Sequence, residues 1–106
     1  MSEPKIIHWN PEQDGELSEA AMHEKLSQMG YYVNRYVYPP GTCFPKHEHN
    51  VDKIDAVLAG RFKMSMYGQS VILQAGDCLI VPRGVTHSAE VIGDAAVVSL
   101  DAIRTS

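Results

Sequence analysis

The sequence predicts an all-β fold, an antiparallel sandwich or barrel with one α-helix packed outside it. Three observations carry that expectation. Downstream of Gly30 the apolar residues alternate with a period of two, as in half-buried strands. Glycine and proline punctuate this region at intervals of roughly eight to twelve residues, the spacing of all-β sandwiches and barrels. Helical periodicity occurs only upstream, between Ser18 and Gly30.

At the N-terminus, Asn10-Pro11 and Gly15 mark an irregular entry. Ser18 is placed to cap a helix, with Glu19 in the first turn, where the helix dipole favours an acid. Met22, Leu26 and Met29 then form one apolar stripe, and Gly30 stands where helices commonly end in the left-handed conformation. The helix is expected to cover one side of a sheet.

Residues 31–38 are rich in aromatic and β-branched residues and stop at Pro39-Pro40-Gly41. Strands 53–59 and 61–67 follow, separated by Gly60. In the second, Phe62, Met64 and Met66 alternate with Arg61, Lys63, Ser65 and Tyr67. Gly68-Gln69 reads as a two-residue type II′ turn with glycine first. Strands 70–74, 78–82, 87–92 and 95–102 complete the pattern, parted by turns at Ala75-Gly76-Asp77, Arg83-Gly84 and Gly93-Asp94. There is no internal repeat.

The 106 residues suit a single domain, 44% hydrophobic and 21% charged. Nine Lys and Arg against thirteen Asp and Glu give a net charge of −4, without like-charge blocks. Such a chain lacks the basic face that phosphate neutralisation requires, so no nucleic-acid partner is expected. No apolar run approaches the roughly 20 residues that span a bilayer. The opening MSEPKIIHWNPEQD lacks the apolar core of a secretory signal, so a cytoplasmic protein without a membrane partner is expected. Cys43 and Cys78 make no disulfide framework and are expected to pack as small buried or half-buried side chains; the sharper reading puts one of them beside a bound substrate.

The chemistry concentrates in three histidines. His47 and His49 form a His-x-His pair, whose imidazoles share a face if the pair is in a strand. His87 opens a strand further on, beyond two expected hairpins, and in a small barrel the two places can meet inside. Neutral imidazoles converging in a barrel mouth make a divalent transition-metal site.

The residues around them strengthen the pattern. Gly41-TCFPK-His47-E-His49-NVD-Lys53-IDAVLA-Gly60 resembles the first motif of the cupins, and Gly76-DCLIV-Pro82-R-Gly84-VT-His87 resembles the second. The resemblance covers about residues 31 to 101. It implies a cupin-type double-stranded β-helix, or jelly-roll barrel, over residues 31–106. Residues 1–30 would be an arm and helix of the same domain. It further implies a homodimer, a metal on His47, His49 and His87, and a small-molecule ligand or substrate. The second motif usually ends with an asparagine, and here Val91 stands in that place.

Lys53 is the informative departure, because cupins usually place a glutamate ligand there. An ammonium has no lone pair and repels a nearby cation. Three outcomes stay open. The three histidines hold Fe, Mn, Ni or Zn alone, with open positions for substrate; Asp52 or Asp55 supplies the missing carboxylate; or the site holds an anionic ligand and no metal. Lys53, Asp55 and Val57 share one strand face, so an inward Asp55 would neutralise Lys53. Lys53 and Asp55 are therefore the candidate catalytic pair, against the plainer reading of a structural ion pair. Lys53 would bind a substrate carboxylate, stabilise a developing enolate or act as a base, and Asp55 would orient it.

The remaining candidates are weaker. His8 and His23 are expected in solvent, Asp101 at the surface or rim with reach into the site as the alternative, and Arg83 as a turn residue rather than an anion clamp. Tyr36 and Tyr38 share a strand face, as sheet packing or with a hydroxyl lining the pocket. The functional expectation is a small metalloenzyme acting on an organic or sugar acid. The alternatives are a ligand- or metal-binding sensor and a metal-free acid–base isomerase or cyclase.

Overall fold

Gly30, where the period changes, is where helix gives way to sheet in the computed structural model, which describes residues 2–105. Upstream lie strand β1 (Lys5–His8), a short helix α1 (Pro11–Asp14) and helix α2 (Glu19–Gln28). The Ser18 side chain accepts from Ala21 N at 3.0 Å, and Gly30 ends the helix at φ 93°. Two reverse bonds close that end, Tyr31 N to Leu26 O at 3.2 Å and Gly30 N to Ser27 O at 3.0 Å.

Downstream come β2 (Tyr32–Tyr38), β3 (Cys43–His47), β4 (Asp52–Ala59), β5 (Arg61–Met66), β6 (Gln69–Leu73), β7 (Asp77–Val81), β8 (His87–Ile92) and β9 (Val97–Arg104). They pair antiparallel in two sheets, ordered β1-β7-β4-β9-β2 and β3-β8-β5-β6. This is the expected all-β jelly-roll barrel. Between the sheets, alternate residues of each strand meet in one core that includes Val57, Phe62, Met64, Leu73, Leu79, Val81 and Val97. On the outer face of the five-stranded sheet, Met22 and Leu26 of α2 cover Ile54, Ala56, Cys78, Leu100 and Ala102. The central strands β7, β4 and β9 of that sheet are therefore covered on both faces.

Four local expectations need correction. Met29 is 39% exposed: the helix ends at Gln28, and Tyr31 packs against Leu26 where the stripe would have continued. The hairpin turn is Tyr67-Gly68, with φ values of 54° and 72° that match a type I′ turn, one residue earlier than expected. That register sets Leu73 opposite Phe62 and Val71 opposite Met64, so core pairing outweighs a left-handed tyrosine, which costs about 1–2 kcal/mol. The arm contributes β1, whose Ile6 and Ile7 pair with Leu79 and Cys78. Cys43 is exposed rather than buried, while Cys78 lies against Met22 Sδ at 3.6 Å. Among the described residues no helix is long and apolar enough to cross a membrane.

Candidate metal centre

The three histidines meet, though only two of them lie in strands. His47 ends β3 and is the register partner of His87, the first residue of β8. The pairing shifts between Phe44 and His47, across Pro45, which has no N–H to give to a ladder. His49 follows in a loop rather than continuing the strand. The loop is tied by Gly84 N, which donates to His49 O at 2.9 Å. Ring centroids stand 4.3 Å apart for His47 and His87, 4.7 Å for His47 and His49, and 5.1 Å for His49 and His87. One nitrogen from each ring lies within 4.8 Å of the other two.

Hydrogen bonds orient two of the rings. His47 Nδ1 donates to Pro45 O at 2.6 Å, and His87 Nδ1 donates to Val85 O at 2.9 Å. A carbonyl can only accept, so each Nδ1 carries the proton and each Nε2 keeps its lone pair. Burial holds His87 below its ordinary titration range, as burial and then the Lys53 charge do for His49. His49 Nε2 is buried without a hydrogen-bond partner. These residues fit a transition metal. Three points 4.8 Å apart lie about 2.8 Å from their centre, so shifts of about 0.7 Å reach the ~2.1 Å of a metal–imidazole bond.

A second charged cluster lies in the same cavity. Lys53, 8% exposed, places Nζ 2.8 Å from Asp101 Oδ1 and 3.8 Å from Asp55 Oδ1. Asp55 is 7% exposed and faces Asp101 directly across the β4–β9 ladder. Asp101 was expected at the surface or rim, yet it reaches the cavity. On β9 it alternates inward with Ser99 and Val97, but its pairing opposite Asp55 depends on a register that only the folded sheet supplies. The cavity holds about 170 Å³ and is lined by His47 and His87 from the four-stranded sheet, by Lys53, Asp55 and Asp101 from the five-stranded sheet, and by His49. Tyr38, Phe44, Phe62, Met64 and Ala89 complete it. Tyr38 stacks on the half-exposed Tyr36 at 6.0 Å, and burial, with the charges of Asp101 and Asp55, pushes its phenol pKa up.

Other candidates lie elsewhere. Asp52 accepts from Arg83 N at 2.9 Å and stands 3.8 Å from Arg104, outside the cavity. It is therefore not placed to supply a carboxylate to the histidines. Arg83 sits exposed in its turn, His23 is exposed, and His8 pairs with Asp77 at 2.7 Å on the surface. Neither cysteine lines the cavity.

Burial pushes the Asp55 pKa from 3.8 up to about 7, against the pull of Lys53 and with the added push of Asp101. The folded chain therefore holds a proton that the unfolded chain has lost between those pH values. The associated stability, complete below about pH 4, drains away as pH rises through 7. In chelator-treated protein, Asp55→Asn is expected to gain on the order of 2 kcal/mol relative to wild type between pH 5 and 8. Urea unfolding at the two pH values measures this, and parallel pH profiles for the two proteins would contradict it.

The family model described as cupin domain matches residues 34–103. Among solved structures, a predicted oxalate decarboxylase from Thermotoga maritima is similar at 27% identity and TM-score 0.65, over 99% of this chain and 83% of that one. The DMSP lyase DddQ from Ruegeria pomeroyi is 26% identical, with TM-score 0.65, over 72% of this chain and 39% of its own. The Cnp3 cupin domain of Schizosaccharomyces pombe is 21% identical with TM-score 0.66, a likeness of fold alone. This chain covers 72% of its own length there and spans 56% of that chain. No curated protein matches the sequence.

Proposed function

The chain belongs to the cupin domain family, and on that premise we propose a metalloenzyme that acts on a small organic or sugar acid. His47, His49 and His87 would hold one divalent ion of Fe, Mn, Ni or Zn. The observation that carries this reading is the arrangement of the rings: backbone carbonyls lock the tautomers of His47 and His87, and His49 Nε2 is buried and unpartnered beside them. When bound, such an ion supplies a Lewis-acid centre with positions open to substrate oxygens.

The chain's own groups supply the rest. The Lys53 ammonium has three N–H donors, and the ion pair with Asp101 leaves others to hold a substrate carboxylate or an oxyanion developing beside it. Asp55 orients that amine from the same strand face. Phe44, Phe62 and Met64 give the cavity an apolar lining beside the histidines. A volume of about 170 Å³ lies below the roughly 300–1,000 Å³ of drug-sized pockets, which suits a small metabolite. A small acid is also in keeping with the Thermotoga maritima structure's description as a predicted oxalate decarboxylase.

Thermal unfolding tests the metal part. A divalent ion at about 100 times its Kd adds about 2.7 kcal/mol of stability. For a domain of this size that raises Tm by about 10–20 °C, and a chelator should reverse the shift. A Tm unmoved by Fe²⁺, Mn²⁺, Ni²⁺ and Zn²⁺ alike would refute the reading.

A further inference from the structure

A lysine buried beside three would-be ligands ought to repel a divalent ion, and the cavity contains an answer to that repulsion. Lys53 Nζ does not stand alone: Asp101 Oδ1 is 2.8 Å away and Asp55 Oδ1 3.8 Å away, from two adjacent strands. All three side chains are mostly buried, with relative exposures of 9%, 20% and 10% for Lys53, Asp101 and Asp55. Burying two carboxylates face to face on neighbouring strands is costly unless they share a proton, as Asp55 allows below about pH 7, or serve a shared cation above it. A single aspartate would satisfy one ammonium as an ordinary ion pair, and here there are two. Resting on the metal reading above, we infer that Asp55 and Asp101 form a divided counter-charge that holds Lys53 toward β9 and screens the histidine cluster from it. This chain can then accept a divalent ion with lysine in place of a ligating carboxylate.

Division makes the two aspartates redundant. When one is replaced by asparagine, the other still faces Lys53 and carries the charge. Their joint removal leaves a bare ammonium beside the ion. Asp101 is thus a positioning residue that acts through Lys53, and rescue at position 53 separates that role from a merely structural one.

The test is calorimetric titration of Co²⁺ into chelator-treated protein at pH 7.5, with the fold of each variant followed by thermal unfolding. Asp55→Asn and Asp101→Asn are expected to stay within about fivefold of wild type. The double variant should bind at least about thirtyfold more weakly, and adding Lys53→Met to it should restore affinity to within about threefold. Lys53→Met alone, which removes the cation and keeps both carboxylates, should bind about tenfold more tightly than wild type. A folded double variant that binds like wild type would overturn the inference, as would a loss that persists after Lys53→Met. Should the double variant fail to fold, Lys53→Met alone decides: affinity no higher than wild type overturns the inference. If these failures occur while wild type binds Co²⁺, the three-histidine site survives them. Wild type that takes up no Co²⁺ removes both readings together.

Discussion

Replacing His87 by alanine is expected to weaken binding of a divalent transition metal by at least about a hundredfold, since even indirect partners of ligands are worth 10–100-fold. Three nitrogen donors are the smallest protein set common in metal sites of this kind, and His87 is the most deeply buried of the three, at 3% exposure. Its ring is held by Val85 O, so the lone pair is already aimed and little ordering remains to be done on binding. The same change leaves the carbonyl of the half-buried Val85 without its donor, a cost of about 1 kcal/mol to the metal-free fold. Co²⁺ titration and urea unfolding separate the two effects. An affinity within about threefold of wild type would mean that His87 is no ligand.

Gly60→Ala is expected to remove about 3–5 kcal/mol of folding stability, a large share of the 5–15 kcal/mol of an ordinary domain. Gly60 joins β4 to β5 at φ 80°, a conformation in which an L side chain is strained. A methyl group there would lie 2.4 Å from Ala96 O and 3.0 Å from Val97 Cα, backbone atoms just before and at the start of β9. No rotamer change relieves a clash with backbone, so β4 or β9 must shift, and those strands carry Lys53, Asp55 and Asp101. Urea unfolding with an unchanged m-value measures the loss. A change below about 1 kcal/mol would show that the β4–β5 corner yields more easily than its packing implies.

Much of the fold was legible because burial has a period. Met22 and Leu26 announced a covered helix face. The alternation of Phe62, Met64 and Met66 announced a strand with one face in the core. Turns were legible where glycine was needed and less so where register decided. At Tyr67-Gly68 the pairing of Phe62 with Leu73 overrides the preference for glycine first. β1 was missed because four residues with two half-buried isoleucines carry too little pattern.

The site divides along the same line. His47, His49 and His87 could be found because a short motif and a distant histidine fit the jelly-roll framework. That Lys53 and Asp55 share a face followed from alternation along one strand, and that the face points inward followed from the resemblance to the cupin motif. Asp101 could not be placed in this way. Its role comes from lying opposite Asp55 and 2.8 Å from Lys53, and those relations belong to strands far apart in the chain. Tyr38 reads as sheet packing or as a pocket-lining residue, and its contacts with Phe44 and Phe62 at the cavity decide for the second.

The most direct measurement is elemental analysis of the protein purified without a metal-affinity tag, then incubated with Fe²⁺, Mn²⁺, Ni²⁺ or Zn²⁺ and freed of excess. A three-histidine metal centre requires close to one equivalent of one of these metals in wild type and almost none in the His47→Ala, His87→Ala double variant. A wild-type protein that carries no metal after such exposure would contradict it, as would a double variant that carries as much as wild type.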